Sequence, residues 1–283
     1  MTLASTSSFS PAPTRAPAPR DWMAREPLFA GATLIYLLAC LPVIFALLVD
    51  PRQYQDVSVW LKPLKFLLSV STFLGMLVWA AQWLPAGVQD RLWYRVWSAL
   101  IVACATAELV WIICAAAFGV GSHFNVGTPL MSAAYTAAGV GAVTLLTGAP
   151  VYGALIWRNA ATGLDQTVRL SLISGLILTF PLTFVAAGYL GGAGSHFVGG
   201  DMSDADGMIL TGWARDGGDL RVAHFFAMHA MHFIPVFGLI AARIAPTPPA
   251  RGAVWAFAAG YAALTVFTFA QALAGRPFLP MIP

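Results

Sequence analysis

The sequence predicts an all-α, polytopic membrane helical bundle with about seven transmembrane helices. Apolar residues make up 59% of the 283 residues and charged residues only 10%, and the mean hydropathy is +0.75. Soluble domains carry about 25% charged residues, so this composition indicates an integral membrane protein. Seven apolar stretches are each about 20 residues long, which is the length that a helix needs to cross a hydrocarbon core of about 30 Å.

These stretches are expected to be helices because only helices and closed barrels satisfy every backbone group in lipid. They lack the alternating pattern of polar and apolar residues that barrel strands show. We number the predicted spans one to seven in chain order: 28–49, 64–84, 96–119, 130–157, 168–191, 221–243 and 252–273.

Residues 1–27 are expected to form a disordered cytoplasmic tail, followed by a single transmembrane domain over 28–283. The first 20 residues, MTLASTSSFSPAPTRAPAPR, are rich in Pro, Ala and Ser and lack the apolar core of a signal peptide. Between spans five and six, the loop 192–220 is longer than the about 15 residues above which a loop is usually functional or disordered. We interpret it as a lid over the external face, with disorder as the alternative.

The distribution of Lys and Arg predicts a cytoplasmic N-terminus and an external C-terminus. Nine of these residues fall on the N-terminal side of the spans and six on the other, and positive loops resist translocation. The nine are Arg15, Arg20, Arg25, Arg91, Arg95, Arg158, Arg169, Arg243 and Arg251; the six are Arg52, Lys62, Lys65, Arg215, Arg221 and Arg276.

Span six contains HFFAMHAMHF, which holds three of the five histidines of the chain. At about 100° per residue, His224, His229 and His232 fall on less than half of the helix circumference together with Met228 and Met231. His229 and His232 are one turn apart and could share an ion. His224 and His232 are about 12 Å apart along the axis and could not.

Further polar residues are expected at the same membrane depth. Glu108 lies midway along span three, where an unpaired ionisable group costs at least about 2.5 kcal/mol, so it should face the bundle interior and have a partner from span two, six or seven. The other candidates are His123 and His196 at the external ends of spans three and five, Lys62 and Lys65 at the start of span two, and Gln271 in span seven.

These residues suggest a His-rich site in the external half of the bundle that binds a metal ion or haem. The candidate cofactor ligands are His224, His229, His123 and His196. A metal would use His224, His229, Glu108 and His232, with Lys62, Lys65 and Gln271 completing the polar pocket. No spacing matches a specific metal motif, and the sequence assigns no catalytic residue.

Each candidate also has a structural interpretation. His224, Lys62 and Lys65 could extend their polar groups to the headgroup zone, whereas His229 and His232 could form hydrogen bonds between helices. His123 and His196 could cap loops beside glycine turns. Met228 and Met231 are most simply core residues, because Met adapts well to irregular packing.

Three classes of function remain open at this stage. A cofactor-binding protein would carry out redox or lipid-phase chemistry. A transporter or channel would use a polar path around Glu108, and a structural or assembly subunit would need no cofactor. The net charge of +3 is spread over both faces and indicates no nucleic-acid partner. The expected partners are the lipid bilayer and a second membrane protein or copy of the chain.

Three segments resemble those of an uncharacterised family of bacterial multi-pass, seven-helix inner-membrane proteins. They are KPLKF at 62–66, SHFN at 122–125 and GGDLRVAHFFAMH at 217–229. The resemblance covers most of the chain after the tail and implies the fold, but it brings no known activity. In this family Gln often stands at the position of His232, which favours His224 and His229 as ligands.

Overall fold

The computed structural model describes residues 23–280. This part of the chain contains seven helical segments that are long and apolar enough to cross a membrane, which confirms the predicted spans. The seven spans are Pro27–Val49, Leu61–Trp83, Leu92–Ala117, Pro129–Arg158, Gln166–Gly192, Leu220–Ile244 and Thr247–Leu273.

Two spans are less regular than the sequence suggested. Span two is an α-helix over Leu61–Ala80 that ends in a 3-10 turn, Ala81–Trp83. Span four consists of two helices, Pro129–Leu146 and Gly148–Arg158. The interruption has a local cause, because Pro150 has no N–H to donate to the carbonyl of the residue four positions earlier.

Most of the predicted N-terminal tail, residues 1–22, lies outside the described residues. Its predicted end at residue 27 is too late, since residues 23–25 are already helical and Glu26 is only 3% exposed. Arg25 donates a hydrogen bond to the Gln82 carbonyl at 2.9 Å. Arg25 and Glu26 are charged and come just before an apolar run. Such residues are normally solvated, which is why they were expected to belong to the tail.

The helices pack unevenly around the bundle. Spans five and six pack most extensively, followed by spans six and seven and spans one and two. Gly175 allows a close approach of spans five and six, because a Cβ there would lie 2.9 Å from the Ala230 carbonyl oxygen. Spans two and six make few close backbone contacts, and we call the boundary between them the seam.

The two ends of the bundle differ in their connections. Spans two, four and six begin at the face that carries residues 193–219, which we call the loop face, and span one begins at the opposite, N-terminal face. Between the faces lies an apolar core that includes the fully buried Leu74, Leu77 and Ile101.

The segment 193–219, which we call the lid, is packed onto the loop face. Its two-residue strand Phe197–Val198 pairs antiparallel with Gly218–Asp219. Trp213 is buried, with its ring centroid 5.4 Å from that of Phe225 in span six. Lys65 in span two donates a hydrogen bond to the Thr211 carbonyl at 2.9 Å, so side chains from two spans hold the lid in place.

Candidate functional site

The deepest charged group on the loop-face half of the bundle is Glu108 in span three. Its side chain is 9% exposed, and its Oε1 atom lies 3.8 Å from Nε2 of His123. The carboxyl group faces inward, as the energetic argument predicted. Its nearest partner, however, comes from the loop that follows its own span and not from span two, six or seven. The separation is longer than a hydrogen bond and leaves the pair without a direct one.

His123 reaches the bundle interior because the segment 118–128 folds back between the helix ends. Trp111 Nε1 in span three donates a hydrogen bond to the Ser122 carbonyl at 2.9 Å, which fixes the start of the turn. The next residue after His123, Phe124, has a φ of +59°, a left-handed conformation that is rare for a bulky side chain. The rings of His123 and Phe124 both lie near Tyr135, with centroid distances of 5.7 and 5.8 Å.

The imidazole of His123 lies in an aromatic environment. Its ring centroid is 5.4 Å from that of Phe66 in span two and 5.7 Å from that of Tyr135 in span four. Its Nδ1 atom is 3.1 Å from the Ser122 hydroxyl. Burial, reinforced by the charge of Lys62 and by nearby His224, lowers the pKa of His123 to about 3, so the ring is neutral near pH 7.

Two further side chains surround this pair. Lys62 at the start of span two has its Nζ atom 5.9 Å from the Phe66 ring centroid, within the range of a cation–π contact. Its charge interacts with that of Glu108, but it forms no hydrogen bond or ion pair with the residues that the structure describes. His224 in span six has a buried Nδ1 atom with no partner among these residues. We call Lys62, Glu108, His123 and His224 the Glu108 cluster.

A second group of charges joins the lid to the start of span six. The Arg221 guanidinium lies 2.7 Å from Asp204 of the lid and 2.6 Å from the buried Asp219. Asp219 also caps span six by accepting a hydrogen bond from the Arg221 backbone N–H at 2.9 Å. His196 Nε2 is buried and lies 3.6 Å from Asp204, slightly beyond hydrogen-bond distance. Burial alone would raise the pKa of Asp204, but the contacts with His196 and Arg221 lower it to about 2.

The other two histidines of span six interact with each other. Nδ1 of His229 lies 3.3 Å from Nδ1 of His232, and Nε2 of His232 lies 3.4 Å from the Thr72 carbonyl oxygen in span two. The His229 ring also lies against Phe225, with centroids 4.2 Å apart. His232 thus contacts span two across the seam, in line with a hydrogen bond between helices, whereas the contacts of His229 lie within span six.

The remaining candidate residues do not line a shared pocket. Lys65 holds the lid through the Thr211 carbonyl, and Gln271 Nε2 donates to the Pro277 carbonyl at 2.7 Å, where it secures the chain after span seven. Met231 is fully buried in the core. The structure therefore brings His123 and His224 together with Glu108 and Lys62, but it places His196 in the Arg221 group and directs Gln271 elsewhere.

The metal site proposed from the sequence finds no support in this arrangement. Within residues 23–280, no three His, Cys, Asp or Glu side chains are grouped closely enough to hold a metal ion. Glu108 and His123 form a pair, and His229 and His232 form another pair. The binding of a metal ion or haem by His224, His229, His123, His196, Glu108 and His232 thus stays a prediction.

Sequence reasoning missed the acidic partners of Arg221. Asp219 could have been found, since Asp before an apolar helical run is a typical N-cap signal. It also missed a buried group on the N-terminal face, where Glu26 Oε2 accepts hydrogen bonds from Tyr94 at 2.5 Å and Tyr152 at 3.1 Å. No sequence pattern indicates that these three residues, from three separate segments, meet.

No protein-family model matches this chain, and no curated protein or solved structure is similar enough to match it. The resemblance of the three segments to an uncharacterised membrane-protein family therefore stays a prediction.

Proposed function

We propose that the protein is a membrane-embedded enzyme that performs acid–base chemistry on the polar group of a lipid-phase substrate. The observation that carries this proposal is the Glu108–His123 pair, whose Oε1 and Nε2 atoms lie 3.8 Å apart in the loop-face half of the bundle. Beside the pair lie a cation, Lys62, and an imidazole, His224, that lack hydrogen-bond partners among the described residues. Buried polar groups are nearly always satisfied, so several incomplete ones in one place favour a ligand site.

The pair is suited to moving a proton. A substrate hydroxyl or a water beside this gap could lie about 2.8 Å from both Glu108 Oε1 and His123 Nε2, off the line that joins the two atoms. The Ser122 hydroxyl at Nδ1 orients the neutral ring, so that Nε2 faces the carboxyl group. Glu108 would accept the hydroxyl proton while His123 Nε2–H stabilises the oxygen, a contribution typical of general acid–base catalysis.

The apolar core of the bundle supports a site that is confined to the loop-face half, rather than a channel through the membrane. One and two turns below Glu108 in span three, Ala105 and Ile101 are 1% and 0% exposed in the apolar core. Leu74 and Leu77 of span two belong to the same core. The apolar side chains of Ala105, Ile101, Leu74 and Leu77 between the Glu108 cluster and the N-terminal face support a one-sided site.

We propose that the loop face is external and that the protein lies in the inner membrane of a bacterium. The asymmetry of nine basic residues against six supports this orientation, because positive loops tend to stay in the cytoplasm. Protease added to intact spheroplasts should then cut in the segment 193–219 and leave the N-terminal tail intact. Cleavage of the tail alone would reverse the orientation.

The proposed activity is tested by the lipids of bacteria that express the protein. We expect mass spectra of their lipid extracts to show species that change in amount with the wild type but not with Glu108→Gln or His123→Asn. Glu26→Gln is the matched control, because it alters an equally buried carboxyl group at the opposite face and should behave as the wild type. Extracts that are the same with and without the wild-type protein, or changes that persist in Glu108→Gln, would refute the proposal.

A further inference from the structure

We infer that the ligand of the Glu108 cluster is an amphiphile with a phosphate-type anion and an adjacent hydroxyl in its head, whose alkyl chain lies along the seam. This inference rests on the proposed function and adds the class of substrate. It is built from the charges at the loop face and from an apolar cavity between the same two spans.

The chemistry of the ligand's head group is inferred from the charged side chains that have no partner among the described residues. Arg221 pairs with both Asp204 and Asp219, and Lys65 is hydrogen-bonded to the lid. Among the described residues near the cluster, Lys62 is the cation that has no hydrogen-bonded acceptor. An ammonium group in this position suits an anion with several acceptor oxygens, and phosphate is such an anion.

His224 supports the same assignment independently. Its Nδ1 atom is buried and has no hydrogen-bond partner among the described residues, and the residue contributes to the lowered pKa of His123. With Nδ1 protonated, it offers a second donor on the opposite side of the seam from Lys62. The head would thus be held by one donor from span two and one from span six.

The position of Glu108 determines which atoms of the ligand's head group lie deeper in the bundle. A second anionic oxygen beside its carboxylate would be repelled, whereas a hydroxyl can donate to it. The phosphate therefore belongs at Lys62 and His224, and the hydroxyl at the Glu108–His123 pair. This is also the group on which the proposed acid–base chemistry would act.

The alkyl chain is assigned from a cavity of about 190 Å³ in the seam, which we call the seam crevice. Its position follows from helix geometry: Val236 lies twelve residues, or about 18 Å, below His224 on span six. This distance is slightly more than half of a hydrocarbon core of about 30 Å. A chain attached to the head would therefore reach the crevice near the bilayer centre by running along the exposed edge of the seam, outside the contact of His232 with the Thr72 carbonyl. The crevice is lined by Met76, Trp79, His232, Pro235, Val236 and Leu239.

A larger apolar groove of about 340 Å³ lies between spans six and seven, along Phe233 and Tyr261. It does not face span two, which carries Lys62. A chain there would leave the head away from the unpartnered donors, so the seam crevice is the better match.

The test measures lipid binding by the purified protein in neutral detergent. Phosphatidylglycerol has an anionic phosphate and hydroxyls, phosphatidylcholine has neither a net charge nor a hydroxyl in its head, and inorganic phosphate has no chain. We expect phosphatidylglycerol to raise Tm and to bind at least about tenfold more tightly than phosphatidylcholine. Lys62→Met and Val236→Trp should each weaken this binding by about tenfold or more.

Two control variants separate specific binding from general effects. Lys65→Met removes the neighbouring lysine, whose ammonium group holds the lid, and Val266→Trp adds the same bulk at a similarly exposed position of span seven. Both should keep the preference for phosphatidylglycerol over phosphatidylcholine. A shift by inorganic phosphate that Lys62→Met abolishes, without any by phosphatidylglycerol, would keep the anion site but overturn the amphiphile.

Equal binding of the two lipids, or full binding by Lys62→Met, would overturn the head assignment. Full binding by Val236→Trp would overturn the seam crevice as the chain site. These outcomes are distinct from a failure of the proposed function, which is measured by conversion of lipid and by Glu108→Gln. Conversion of a lipid without preferential binding of phosphatidylglycerol would refute this inference alone. Preferential binding without conversion of any lipid would refute the enzyme proposal.

Discussion

Glu108 Oε1 and His123 Nε2 lie 3.8 Å apart in the loop-face half of the bundle, although their residues belong to a membrane span and to a loop. The loop residue reaches the carboxyl group because Trp111 holds the Ser122 carbonyl and Phe124 adopts a left-handed backbone conformation. Proteins usually keep such backbone strain only where the surrounding structure imposes it, and strained residues cluster at functional sites.

The first prediction concerns the stability of Glu108 variants. Glu108→Gln keeps the shape and hydrogen-bonding capacity of the side chain, whereas Glu108→Leu leaves Lys62 and His123 without their polar neighbour. Leaving a buried polar group unsatisfied costs about 1–3 kcal/mol. Thermal unfolding in detergent should therefore show a larger loss of Tm for Glu108→Leu than for Glu108→Gln. The reverse order would mean that the carboxyl group is not part of a polar cluster.

The second prediction concerns pH and Glu26 on the N-terminal face. Burial raises the pKa of Glu26, and this effect outweighs the lowering by hydrogen bonds from Tyr94 and Tyr152. A raised native pKa stabilises the folded state below the unfolded pKa of about 4.3, and this contribution is lost as pH rises through the native value.

The measurement compares the wild type with Glu26→Gln, whose amide does not titrate. The Tm of the wild type minus that of the variant should fall as pH rises from about 4 to about 8. Asp204 hardly affects this range, because its lowered pKa of about 2 places its contribution to stability mainly below pH 4. A difference that stays constant or rises with pH would contradict the assignment.

How far the sequence anticipated these features depends on the physical reason behind each one. The seven spans follow from composition and length, and the inward direction of Glu108 follows from the energetic cost of a charge in lipid. The partner of Glu108 could not be predicted, because the depth of His123 depends on a turn fixed by Trp111. Likewise, Glu26 looked like part of a solvated tail because its tyrosine partners are 68 and 126 residues away.

The third prediction concerns closure of the lid. Arg221 joins Asp204 of the lid to Asp219 at the start of span six, and removal of one partner from a buried ion pair is strongly destabilising. Arg221→Gln should increase the rate of tryptic cleavage at Arg215 by about tenfold or more, because local opening controls access to the bond. Arg276→Gln, beyond span seven, is the control and should cleave as the wild type. Unchanged cleavage of the Arg221 variant would show that other contacts suffice to close the lid.

The fourth prediction decides the question of a metal ion or haem. Because the described residues hold no group of three metal-ligating side chains, we expect elemental analysis of the purified protein to find less than one metal ion per chain. Haem needs only one or two axial ligands, so absorbance tests it separately, and a haem band would support the haem alternative. One full equivalent of metal that is lost in both His224→Ala and His229→Ala, but kept in Met228→Leu, would instead restore the metal site predicted from the sequence.

The central claim is that Glu108 and His123 form an acid–base site for a lipid-phase substrate. It is tested most directly by reconstituting the purified protein into bilayers of total bacterial lipid extract and following the lipids by mass spectrometry over time. We predict that the wild type and Glu26→Gln convert a lipid species at similar rates. Glu108→Gln should be at least about 100-fold slower, the effect expected from loss of a general acid or base. No conversion by the wild type, or equal rates for Glu108→Gln and the wild type, would contradict the claim.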